Sequence, residues 1–184
     1  LQGINFYTGR FDKSREYARQ AFTVSMHLSR YKMAVRTLMI QALTYTEIKK
    51  YDSASYCNKL ALSILDKHPA PNTRSSLYFN QGFNIVMKDS TFIPELTQEA
   101  ISWYEKALEL STSLNDTDII VLALYNLGYS YWCLGDPGSI EKGIKFTYRA
   151  KNMLEKIPIR TQMFRSFMLT TFLASLRRGQ KKLP

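Results

Sequence analysis

"YNLGYSYWCLGD", residues 125–136, sets a helical run against its own glycine. Apolar and aromatic residues recur there at helical spacing, yet Gly128 stands in the middle, and a mid-helix glycine costs about 1 kcal/mol relative to alanine. The run closes on Gly135 and Asp136, inside a break, "LGDPGS" (134–139), of the residues expected of turns and caps. A helix tolerates Gly128 only if packing outside the helix recovers more than the lost propensity, so the glycine points to a neighbour that comes unusually close.

The arrangement recurs upstream. "IQALTYTEIKKYD" (40–52) carries Ala42 and "NQGFNIVMKDS" (80–90) carries Gly82 where the first run carries Gly128; three positions on stand Tyr45, Ile85 and Tyr131. A second block alternates with the first: "SREYARQA" (14–21), "ASYCNKLA" (54–61), "AISWYEKA" (100–107) and "GIKFTYRA" (143–150). Each opens on a small residue and ends on alanine, at Ala21, Ala61, Ala107 and Ala150, in steps of 40, 46 and 43 residues. Self-similarity at such a period is the mark of a repeat architecture. Helical periodicity and the Gly, Pro, Asn and Asp breaks predict helices at 1–7, 12–28, 31–49, 51–66, 73–88, 95–113, 116–134, 139–155 and 159–177. In each pair the small residue of the first helix (Ala42, Gly82, Gly128) is expected to meet an alanine of the second (Ala107, Ala150), with rings filling the space on either side.

These residues resemble the tetratricopeptide repeat, whose helix pairs carry a small residue, a tyrosine three positions later and two spaced alanines. Ala42, Tyr45, Ala54 and Ala61 fit without a gap. Six extra residues separate Gly82 from Ala100 and three separate Gly128 from Gly143, both expected in the turn between paired helices. The resemblance implies an all-α fold, a right-handed superhelical solenoid of stacked antiparallel helix pairs. It would occupy residues 1–178, with about four pairs and a closing helix, followed by a basic tail at 179–184. The opening on Leu1 inside a helical pattern is expected of a piece of a longer chain.

The 184 residues are 45% hydrophobic and 22% charged, a globular balance. No apolar run approaches the roughly 18 residues of a membrane span; "MLTTFLASL" (168–176) is far shorter, and no membrane partner is expected. The formal charge is +10. Arg177, Arg178, Lys181 and Lys182 cluster in "RRGQKK" (177–182) and the rest are scattered between apolar positions, as on a solvated surface; nucleic-acid binding is the weaker alternative. Cys57 and Cys133 form no CxxC and read as packing residues, which suits a reducing, cytoplasmic setting. His27 and His68 have no partner at metal-ligand spacing, and no phosphate loop, dinucleotide fingerprint or nucleophile elbow occurs. Glu95 and Glu99 read as a solvated first turn rather than a catalytic pair. No enzymatic activity, metal or cofactor is expected.

The resemblance places binding on the face lined by the first helix of each pair. Asn80 and Asn126 occupy equivalent positions there. An amide offers a donor and an acceptor, so two in series can hold an extended peptide by its backbone. Met39, Phe79, Phe83, Tyr125, Tyr129 and Trp132 would supply apolar pockets, and Arg36, with Arg165, a site for a carboxylate. The same residues also admit a plainer reading, with solvated asparagines and rings packed between repeats. Tetratricopeptide proteins bind peptides or proteins in this groove. One subgroup, the peptide-sensing regulators of Gram-positive bacteria (Rap, PlcR and NprR type), is similar in its irregular repeat lengths and in asparagines on the groove face. Chaperone co-factors of the family use a polar clamp where Met39 and Ile40 stand here. The resemblance therefore implies the sensor domain of a larger regulator that binds a short peptide or partner-protein segment. It implies DNA contact only through a flanking domain, and is compatible with a homodimer. A constitutive interaction scaffold is the alternative.

Overall fold

A computed structural model describes residues 9–88 and 93–156. The expected helices 1–7 and 159–177, Arg165 and the tail 179–184 lie outside the described residues. The described chain forms seven helices: α1 (Phe11–His27), α2 (Tyr31–Glu47), α3 (Tyr51–Lys67), α4 (Pro71–Lys88), α5 (Pro94–Ser113), α6 (Thr117–Leu134) and α7 (Pro137–Leu154). Among the described residues there is no strand, and the fold is all-α. Each helix packs on the next, α2 also packs on α4, and α4 on α6.

One joint recurs. Gly9, Ser29 and Lys49 adopt φ of 72°, 54° and 59°, and each is followed by a basic residue and then an aromatic one that starts a helix: Arg10–Phe11, Arg30–Tyr31, Lys50–Tyr51. The Arg30 N–H reaches Ser25 O at 2.8 Å and the Lys50 N–H reaches Tyr45 O at 2.8 Å, while Ser29 and Lys49 bond Met26 O and Thr46 O. These paired bonds close a helix end on a left-handed residue and satisfy its last carbonyls. Asn115, at φ 53°, repeats the geometry before α6, with Asp116 N–H on Ser111 O at 2.9 Å. Only α6 and α7 have side-chain caps: Asp116 accepts from Ile119 N at 3.3 Å and Asp136 from Ser139 N at 3.0 Å.

The small residues that define the repeat are core. Ala42, Ala54, Ala61, Ala100, Ala107 and Ala150 are buried, as are Ser14, Gly82, Gly128 and Gly143; Ala21 is half-buried. Val35, Leu38, Leu65 and Leu77 join them between α2, α3 and α4. Ile101, Tyr104 and Leu127 bind α5 to α6, and Val121, Leu124 and Leu154 bind α6 to α7.

The close approaches differ in partner from the expectation. A Cβ on Gly128 would lie 3.0 Å from Gly143 O and 3.2 Å from Thr147 N, against the Thr147 hydroxyl; a Cβ on Gly143 would lie 2.7 Å from Gly128 O. Gly143, not Ala150, is thus the counterpart, and two backbones touch directly. At Gly82 the counterpart is not Ala107 but the ring of Tyr104, 2.7 Å from where a Cβ would stand. The extra residues also sit elsewhere than expected. The α6–α7 joint is only Gly135 and Asp136, shorter than the joint between α2 and α3, so the three residues added between Gly128 and Gly143 extend the helices instead. Pro94 and Pro137 start α5 and α7 earlier, since proline at the first helical position loses no hydrogen bond. Both insertions are therefore largely helical.

Candidate functional site: a groove between α2 and α4

On α2, Val35, Leu38 and Ala42 face the core. The adjoining stripe, Lys32, Arg36, Met39, Ile40 and Leu43, recurs at the three- and four-residue steps that keep side chains on one helical face. On α4 the matching stripe is Asn72, Thr73, Ser76 and Asn80. The two stripes face one groove of about 390 Å³, and Asp116 at the start of α6 also lines it. That volume falls within the range of small-ligand sites.

The groove's walls differ in chemistry. Met39, Ile40 and Leu43 are half-buried and make an aliphatic shelf on α2. Lys32 and Arg36 are exposed, one turn apart, and have no carboxylate partner among the described residues. Asp116, the one carboxylate of the groove lining, already accepts the Ile119 N–H as a helix cap. Opposite the shelf, Asn80 is only 8% exposed and its amide has no hydrogen-bond partner among the described residues. Its Oδ1 and Nδ2 are not sealed off, unlike those of Asn58, so the amide stays open to a donor and an acceptor bound in the groove.

Of the nine described residues singled out from the sequence, the groove brings together Arg36, Met39 and Asn80. The other six lie elsewhere. Phe79 and Phe83 stack at 6.3 Å, and Phe79 tilts onto Tyr104 at 5.6 Å, within the α4–α5 packing. Tyr125 is buried among Val121, Leu124, Ala150 and Leu154. Tyr129 and Trp132 pair at 6.3 Å, and Tyr129 borders a tight space shared with Val86, Leu96 and Cys133. Asn126 donates from Nδ2 to Leu122 O of its own helix at 2.8 Å, so half of its amide is spent on the backbone. Asn80 and Asn126 are equivalent in the repeat but not in what they offer.

Lys32, Asn72, Thr73 and Asp116 were not singled out. Extending the stripes one turn toward the helix starts from Arg36 and Ser76 finds Lys32 and Asn72. Asp116 gives no such signal, because only the packing of α4 on α6 carries it there. Among the described residues no three His, Cys, Asp or Glu side chains gather as a metal site, and no helix is long and apolar enough to cross a membrane. His68 stacks face to face on Tyr31 at 3.4 Å. Set against known families and curated proteins, the sequence matches no family model and no curated protein significantly.

Proposed function

We propose that this chain is a peptide-binding helical-repeat module of tetratricopeptide type, whose helix pairs stack as a right-handed solenoid and whose α2–α4 groove holds an extended segment of a peptide or partner protein. The observation that carries the reading is Asn80: a largely buried residue whose amide stays open to the groove without a partner among the described residues, facing an aliphatic shelf and the two cations Lys32 and Arg36. Its carbonyl and NH2 match the N–H and C=O of one peptide group, and Met39, Ile40 and Leu43 take the apolar side chain beside it. The short, one-sided groove favours a segment of chain over a folded partner. A sensor role within a larger, cytoplasmic regulator follows from the same reading.

Selection of random octapeptides displayed on phage against the full chain tests it. An enriched sequence should bind the wild-type protein and lose at least about tenfold in affinity on Asn80→Ala, the loss expected for an unmatched buried amide hydrogen bond. Thermal stability should hardly change, because the Asn80 side chain makes no hydrogen bond to another described residue. Equal affinity for both proteins would refute the role given to Asn80, and no enrichment would refute the peptide-binding reading.

A further inference from the structure

The groove continues past the start of α2. A second hollow, of about 570 Å³, lies where the α1–α2 joint meets the end of α3. Arg30, Lys32, Lys67 and His68 line it, and no carboxylate does. Lys32 lines both hollows, which makes them neighbours on one surface. Asp66, the acidic residue next to Lys67 in the chain, is held by Arg74 at 2.9 Å. Arg30, Lys32, Arg36 and Lys67 have no ion-pair partner among the described residues. Four unpaired cations therefore follow one another along a surface whose only lining carboxylate, Asp116, caps a helix.

From this we infer that the ligand is an acidic peptide: an apolar side chain on the Met39–Leu43 shelf, and two or more carboxylates carried round the start of α2 over Lys32 to Arg30 and Lys67. The inference rests on the peptide-binding reading of the groove and adds the ligand's charge and direction. Cations without internal partners favour a ligand of opposite sign and speed its encounter. The length fits. From Leu43 to Lys32 the helix rises about 16 Å at 1.5 Å per residue, which roughly five residues of extended chain would span. A nucleic acid fits less well. Base recognition needs open aromatic faces, and the one tyrosine in the two hollows, Tyr31, is stacked on His68 at 3.4 Å.

The test uses the octapeptide selection on the full chain, followed by Arg30→Gln/Lys67→Gln. Both side chains are exposed, so the double variant should keep its melting curve. Enriched sequences should carry at least two Asp or Glu next to an apolar residue. The double variant should bind them roughly five- to tenfold more weakly, the sum expected of two exposed charge pairs. Replacing the peptide's acids by amides should cost as much, and high salt should erase the difference. Enriched sequences without acids, sensitive to Asn80→Ala but not to the double variant, would overturn this inference and leave the groove reading standing. No enrichment would bring both down. A single-stranded oligonucleotide that outcompetes every selected peptide, and is itself weakened by the double variant, would also overturn the proposal.

Discussion

Replacing Gly128 by alanine should destabilise the protein although it improves the helix. Alanine raises α6's own propensity by about 1 kcal/mol. Against this, the new Cβ meets the Thr147 hydroxyl and stands 3.0 Å from Gly143 O and 3.2 Å from Thr147 N. Two of these three atoms belong to the α7 backbone and cannot rotate aside, so α6 and α7 must part. Overpacking of a tight core typically costs about 1–3 kcal/mol and occasionally more. A contact with backbone belongs at the upper end, which leaves a net loss of about 1–3 kcal/mol. For a chain of this size that lowers Tm by roughly 3–10 °C, read by circular dichroism at the helical band. Gly138→Ala is the control: its Cβ would touch only Asp136 Oδ1 at 3.4 Å at the exposed start of α7, so Tm should hold or rise. Adding Thr147→Ala to Gly128→Ala should restore part of the loss, because it removes one of the obstructing atoms and leaves Gly143 O. If Gly128→Ala melts at or above the wild-type temperature, backbone contact is not why the glycine is there.

Three further outcomes are expected. Tyr104 is fully buried and its hydroxyl has no hydrogen-bond partner among the described residues, so Tyr104→Phe should raise stability by about 1 kcal/mol; a fall in Tm would show that the hydroxyl is satisfied in solution. Asp136 is held below the ordinary aspartate value by its hydrogen bonds to the Ser139 side chain and N–H. A depressed folded-state value means that the cap stabilises fully above the ordinary value of 3.8 and that this is lost as pH falls through the lower, folded-state value. Asp136→Asn should keep the cap at neutral pH and flatten that acid dependence of Tm; an unchanged acid slope counts against it. Burial pushes the Cys57 thiol up to about 11, so at pH 8 a maleimide should label the half-buried Cys133 first and reach Cys57 only on unfolding; prompt labelling of both would contradict the buried position.

The crowded helix–helix contacts were legible because their signal is steric. A position that admits only Gly, Ala or Ser shows its crowding in the residue itself, and Ala54, Ala100, Gly143, Ala61, Ala107 and Ala150 all proved buried. Helix limits for the described segments were also legible to within about two residues. The misses at the starts of α4 and α7 came from reading Pro71 and Pro137 as breaks rather than as first helical residues. The site was legible only in part. Arg36, Met39 and Asn80 follow from repeat position, but residue type does not show that Asn126 bonds its own backbone, or that Tyr125 turns into the α6–α7 core. Nor does it reveal Asp116, which tertiary packing alone delivers to the groove.

The recurring joint has a consequence for how such a chain can grow. Helices α1 to α4 begin at Phe11, Tyr31, Tyr51 and Pro71, an even stride of twenty residues. The closures before Tyr31 and Tyr51 share one set of backbone hydrogen bonds. The joint before Pro71 repeats only their three-residue length, since His68 has φ −132° and no residue of that joint is left-handed. A tandem copy of residues 31–70 spliced after position 70 would end on the segment that already precedes Pro71 and would set the start of α2 behind residues 68–70, a joint as long as the 28–30 joint it leaves. Such an insertion is expected to add two helices without a designed linker, visible as a proportional gain in helical signal with cooperative melting retained. Duplication within a gene makes the same edit, so this part of the molecule is suited to changing length by whole units.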